Sequence, residues 1–298
     1  MNICGKDIKV HGRLVRIARL DGEKYTFPGS PEEFVLRLRN CRARVDIFTF
    51  LQKLPDTSPK YPYPFELDNF AVLPVTTFEN WWNNQIRSYP RNRARQAGKR
   101  GVVIREIPYG EELIRGICGV YNETPMRQGK RFPHYGMTLE RARQYAGTFL
   151  DCSVYLGAFL DKELIGFIKM SIDESGTQAA LVHVLSMAQH KDKAPTNALI
   201  AEAVRECAKR NISYLVYENF TYGNKTGDSL SHFKEVNGFQ RVSIPRYYAP
   251  ITPWGAVAFR LGLHRRLAEV MPESVAAKLR ELRSRWYQRR FNLKTEHS

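Results

Sequence analysis

The chain has 298 residues, enough for one large or two modest domains with cores of their own, and 43% of them are apolar, which excludes an intrinsically disordered chain. Forty-six Lys and Arg against thirty Asp and Glu give a formal net charge of +16. Such a field attracts phosphate-bearing ligands, nucleic acid or acidic membranes, unless it serves solubility alone.

The five cysteines, Cys4, Cys41, Cys118, Cys152 and Cys207, are widely spaced and form no CxxC pair, so packed, reduced thiols are expected and no metal. The N-terminus MNICGKDIKV lacks the apolar h-region of a signal peptide, and no apolar run approaches the ~20 residues needed to span a bilayer. A cytoplasmic protein is expected, peripheral to a membrane if its basic surface binds one.

In chain order, GRLVRIARL reads as a strand, a helix opens at Ser30 and Pro31, and VDIFTFLQ reads as a second strand. Four prolines in PDTSPKYPYP, residues 55–64, then impose a loop. FAVLPV follows as a strand, and Thr77 is expected to cap a helix through Trp81, Trp82 and Ile86. Six basic residues, Arg87, Arg91, Arg93, Arg95, Lys99 and Arg100, fall within fourteen positions, and Gly98 and Gly101 end that helix. They form either a solvated face or a phosphate-facing surface.

From Val102 the periodicity gives strand VVIREI, helix EELIRGICGVYN, a loop, helix TLERARQYAGTFL, and strands SVYLGAFL and ELIGFIKMSI joined at Asp161 and Lys162. Strand ALVHVLSM, helix TNALIAEAVRECAKRN, strand YLVYENF, helix DSLSHFKEVNG and strand RVSIPRYY complete the order β-α-α-β-β-β-α-β-α-β. After Pro253 two helices are expected. In the second, Val275, Leu279, Leu282 and Trp286 form an apolar stripe among basic residues, suited to docking on the domain or to an anionic bilayer or RNA.

The loop, YNETPMRQGKRFPHYG (residues 121–136), carries ten hydrogen-bonding side chains among sixteen. Arg127 and Arg131 offer forks for carboxylate or phosphate, Glu123 and Gln128 can accept from hydroxyls or an amine, Tyr135 adds a phenol, and His134 exchanges a proton near neutral pH. The alternative is architectural: Glu123 pairs with Arg127 across a turn and His134 fills a niche. No HExxH, GxSxG or Walker loop points to another chemistry.

The element order over residues 102–250 resembles the GNAT acyltransferase fold, in which a mixed sheet splays to admit an acyl donor. The hairpin YLGAFLDKELIGFIKM around Gly166, and HFKEVNGFQRV with its Gly-Phe, resemble that family's hairpin and terminal helix. RNRARQAGKRGVVIRE is similar to the corresponding segment of the FemAB-like branch, whose members move aminoacyl groups from aminoacyl-tRNA to cell-wall precursors.

The resemblance implies an α/β (α+β) fold, a splayed mixed sheet flanked by helices. Residues 1–100 would be an extension or companion half, 101–252 the acyltransferase domain and 253–298 a basic helical tail. It also implies transfer from acyl-CoA or aminoacyl-tRNA to a small-molecule or saccharide acceptor, in polysaccharide or cell-envelope synthesis, with the loop over the acceptor side. His183, in the strand bordering the cleft, becomes a candidate base, although alternation also lets it pack with Leu181, Leu185 and Met187.

Where the family places a glycine-rich pyrophosphate turn, this chain reads QHKDKAPTNAL. Gln189, Lys191, Lys193, Thr196 and Asn197 are the donor-binding candidates there, with Asp192 and Ala194 in place of glycines. Where many members carry a tyrosine acid, Phe233 and Lys234 stand, and Tyr222 is the substitute candidate. The competing expectation is a non-catalytic module that keeps the fold and binds an anionic ligand, RNA or a membrane.

Overall fold

The computed structural model describes residues 1–127, 130–221 and 229–265. In chain order it begins with strands β1 (Asn2–Ile3), β2 (Lys6–His11) and β3 (Ile17–Leu20), helix α1 (Pro31–Asn40), and strands β4 (Ile47–Leu51) and β5 (Phe65–Pro74). Next come α2 (Phe78–Asn80), which runs into a π-turn (Trp81–Gln85), α3 (Ser88–Lys99), β6 (Val102–Glu106), α4 (Glu111–Asn122), the paired β7 (Met126–Arg127) and β8 (Lys130–Arg131), and α5 (Leu139–Ala146). They are followed by β9 (Ser153–Leu160), β10 (Glu163–Ile172), β11 (Gln178–Ser186), α6 (Pro195–Lys209), β12 (Tyr214–Asn219), α7 (Ser229–Val236), β13 (Gln240–Pro250) and α8 (Pro253–Arg260). The architecture is mixed α/β, a large mixed sheet flanked by helices.

The chain divides into two compact units. One takes in Met1–Thr77, Ile172–Ala180 and the described residues from Cys207 on; the other takes in Phe78–Ser171 and Leu181–Glu206. In the first, the strand order is β1-β2-β3-β4-β13-β5-β12, and the first three residues of β11 pair in parallel with β12. Pairing of β11 with β12 covers only Gln178–Tyr214, Ala179–Leu215 and Ala180–Val216.

That unit is built on aromatic packing and one buried charge cluster. Phe34 stacks on Phe48, Phe48 on Phe50 and Phe50 on Tyr247 at centroid distances of 5.6, 5.4 and 5.0 Å. Arg246 donates to Glu23 through both terminal nitrogens and to Asp68 through Nε, so its buried charge is fully matched.

In the second unit β6, β9 and β10 run antiparallel, with the rest of β11 beside β10. Asp161, at φ +54°, makes the tight connection from β9 to β10. Gly166 sits at a register shift of that hairpin, and a Cβ there would lie 2.9 Å from Ser186 Cβ and 3.1 Å from Leu185 O. Close approach of β10 to β11 therefore requires glycine.

Most expected elements are present, and four differ. The stretch GRLVRIARL is a strand only at Ile17–Leu20, and β2, whose KDIKVH is polar at four of its six positions, was not expected. The helix expected from Thr77 is one short turn followed by a π-turn, closed by Ile86 N–H donating to Trp81 O. That widened turn lets Trp81 and Ile86, five residues apart, both be buried. The helix read as TLERARQYAGTFL stops at Ala146, because Gly147 leaves helical geometry and Phe149 turns left-handed. The second tail helix lies outside the described residues.

Candidate functional site

Helix α5 begins where Thr138 accepts from Arg141 N–H, and it projects Tyr145 one residue before its end. Strand β11 supplies His183, whose ring centroid is 4.7 Å from that of Tyr145. The loop after β8 supplies His134, 5.2 Å from Tyr145 and 4.9 Å from Tyr121 of α4. Phe167 of β10 closes the base, edge-on to Tyr121. Both histidine candidates thus meet at one tyrosine residue that is 39% exposed.

Burial, with a smaller contribution from Arg141, pushes the His134 imidazole below its usual 6.5. At neutral pH it is therefore a proton acceptor. Burial likewise pushes the Tyr121 phenol well above the usual range, so Tyr121 serves as a neutral wall.

The loop is ordered by fixed partners. Asn122, at the end of α4, accepts from Gly136 and Met137 N–H and donates to Met137 O. Arg127 pairs with Glu123 at 3.1 Å, donates to Ser186 O at 2.7 Å and to Val120 O at 3.1 Å, and lies over the Phe132 ring. Glu123 also accepts from Gln189 N–H at 2.7 Å. The architectural pairing of Glu123 with Arg127 is thus present, and it ties the loop to the end of β11. Arg131 and Tyr135 are exposed beside it.

Past β11, Ala188–Lys193 forms a 3₁₀ turn and Ala194 takes φ +54°, so an alanine adopts the left-handed conformation for which a glycine was expected. Arg93 of α3 and Arg100, the residue just past its end, donate to the carbonyls of Lys191 and Asp192. Two residues of the basic run therefore anchor the turn. Thr196 bonds Ser186 through their hydroxyls at 2.7 Å, Asn197 is half-buried in the first turn of α6, Lys191 is exposed, and Lys193 lies near Asp192. Gln128 and Tyr222 lie outside the described residues. Among the described residues no His, Cys, Asp and Glu cluster has the make-up of a metal site.

Two residues that sequence reasoning missed stand at this site. Tyr145 lies within the helix TLERARQYAGTFL, where no sequence motif singles it out. Lys169, inside the apolar run ELIGFIKMSI, is fully buried and donates to Ala146 O at 2.8 Å, to Thr148 O and to Thr148 Oγ1. It thereby caps the carbonyl end of α5 beside Tyr145. A lysine at a core-facing strand position was the available signal. In the other unit, Lys234 is also fully buried and donates to Asn219 O at 2.5 Å.

No family model matches the chain, and no characterised protein matches it in sequence. Solved structures do match in fold. The C-terminal domain of an Agrobacterium fabrum protein described as a lysylphosphatidylglycerol synthetase superposes with a TM-score of 0.54 at 13% identity, covering 85% of this chain and 83% of that one. L-PGS from Bacillus licheniformis gives 0.54 at 12% identity, over 81% of this chain and 80% of its own. FemX gives 0.45 at 10% identity, over 74% and 70%. The chain therefore has the GNAT-like fold expected from its element order, a large mixed sheet flanked by helices.

Proposed function

We propose that the protein is a cytoplasmic acyltransferase that moves an aminoacyl or other acyl group onto a hydroxyl or amine of an anionic acceptor, either a saccharide-containing molecule or a lipid headgroup. The observation that carries this is the convergence of His134 and His183 on the partly exposed Tyr145. A neutral imidazole takes the proton of the attacking hydroxyl or amine, the new bond forms at the acyl carbon, and the leaving oxygen or sulfur departs with a proton. Tyr145 and the second histidine are the groups placed to return it.

The matched synthetases, whose name describes an amino acid joined to an anionic lipid, favour aminoacyl-tRNA as donor and a phosphorylated acceptor. The turn at Lys191–Ala194 supports the same choice over acyl-CoA, because its carbonyls are tied to Arg93 and Arg100 and its glycines are replaced. The test is transfer of radiolabelled amino acid from a mixed aminoacyl-tRNA pool to phosphatidylglycerol vesicles or to a saccharide phosphate. Acetyl-CoA is assayed in parallel and is expected to bind no better than roughly millimolar, about −4 kcal/mol. Product that disappears in His183→Ala supports the reading. No transfer from either donor, with ligand binding intact, would leave the non-catalytic module.

A further inference from the structure

Helix α8 is turned the wrong way for an ordinary surface helix. Its inner contacts are small: Gly255 lies so close to the backbone that a Cβ would stand 1.8 Å from Asp46 O, and Ala258 is fully buried against Val15 and Ile47. Phe259 packs inward on Tyr248 and His264, but the other larger apolar residues of α8, and Leu261 just past its end, stay exposed. Trp254, Val257 and Leu261, three and four positions apart, form one stripe exposed by 36%, 44% and 65%, and Leu14, whose carbonyl accepts from the Trp254 indole, is 67% exposed. A contiguous apolar patch of this kind marks a docking surface.

The exposed charges beside it in the chain are basic. Arg13 and Arg16 flank Leu14 in the chain and Arg260 closes the helix, all exposed. The two nearby carboxylates are already matched: Asp46 is buried and accepts from Arg16 N–H and Thr252 Oγ1, and Glu66 is held by His264 and Arg265. An indole and aliphatic side chains ringed by unopposed arginines fit the boundary of an anionic bilayer, where the rings enter the acyl region and the guanidinium groups meet phosphate. The sequence that follows, with its apolar stripe at Val275, Leu279, Leu282 and Trp286 among basic residues, has the same composition.

We infer that the face formed by α8 and Leu14 docks the protein onto anionic membrane surfaces. This surface belongs to one compact unit and is independent of the transferase reading, so binding can be measured without activity.

The experiment is co-sedimentation of the full chain with vesicles of phosphatidylcholine alone and of phosphatidylcholine with about one-third phosphatidylglycerol. The expected result is partitioning onto the anionic vesicles only, weakened about ten-fold or more in a Trp254→Ser, Val257→Ser, Leu261→Ser triple variant that melts like the wild type. An Arg13→Gln, Arg16→Gln variant, which leaves the apolar stripe intact, is expected to bind less and with a shallower salt dependence. Unchanged binding in both variants would overturn the inference. A wild type that dimerises without vesicles while the triple variant is monomeric would also overturn it, because the stripe would then be an interface between copies of the chain.

Discussion

The Tyr145 ring lies 4.7 Å from that of His183 and 5.2 Å from that of His134, so one phenol on α5 touches both histidines of the candidate site. This arrangement predicts a shared role in proton transfer. His183→Ala and Tyr145→Phe are each expected to lower the transfer rate about 10²-fold, the size of a general acid–base contribution. Melting temperatures should move little for Tyr145→Phe, because the ring and its packing remain. A Tyr145→Phe enzyme of full activity would restrict Tyr145 to a packing role.

His134 should titrate below 6.5, since burial and then Arg141 disfavour its charged form. With the folded pKa lowered, the unfolded chain binds more protons in the window just below 6.5. Stability from this group therefore rises as pH increases through that window. An NMR titration of the imidazole checks it, and a midpoint above 6.5 would contradict the assignment.

Arg127→Ala should destabilise the protein by about 2–4 kcal/mol in urea unfolding, because it leaves Glu123 largely buried and without its cation. The exposed Arg131→Ala is the control, at about 0.5 kcal/mol or less. Equal effects of the two would mean that the Glu123–Arg127 pair does not order the loop.

Lys169 gives a prediction in the alkaline range. Burial lowers its ammonium from 10.5 to about 8, opposed by the nearby Cys152 thiol. Between about 8 and 10.5 the unfolded chain binds a proton that the folded chain has released, so the stability contributed by this group increases with pH across that window. The unfolding free energy of wild type minus that of Lys169→Met should therefore grow from pH 7.5 to pH 10. A flat difference would show that the ammonium keeps its ordinary pKa beneath α5. The same substitution removes the cap on Ala146 and Thr148, and amide exchange at the end of α5 should accelerate relative to β9 and β10.

What the sequence determined by itself was local. Ser30 and Thr138 announced their helices because a hydroxyl cap acts within three residues, and the helix expected from Thr196 is α6, which Pro195 opens one residue earlier. Asp161 and Gly166 marked the β9–β10 hairpin, and alternation marked its strands, so the order from Val102 to Pro250 was legible. The pairing of Glu123 with Arg127 was legible as an alternative, since the two residues are four apart.

Tertiary structure decided everything that depends on distant partners. KDIKVH has only two apolar positions, Ile8 and Val10, too short an alternation to announce a strand, and pairing with β1 and β3 fixes it as one. His134, Tyr145 and His183 come from a loop, a helix and a strand, and no spacing rule relates them. Their meeting is set by how α5 packs over the sheet. Lys169 interrupts an apolar run, and only the end of α5 places three acceptors beside it; likewise the close approach of α8 to Asp46, and not its sequence, leaves Trp254 and Val257 exposed. Periodicity records which face of an element is apolar; only chain closure decides what that face meets, because contacts between residues far apart in sequence are fixed by packing and not by local preference.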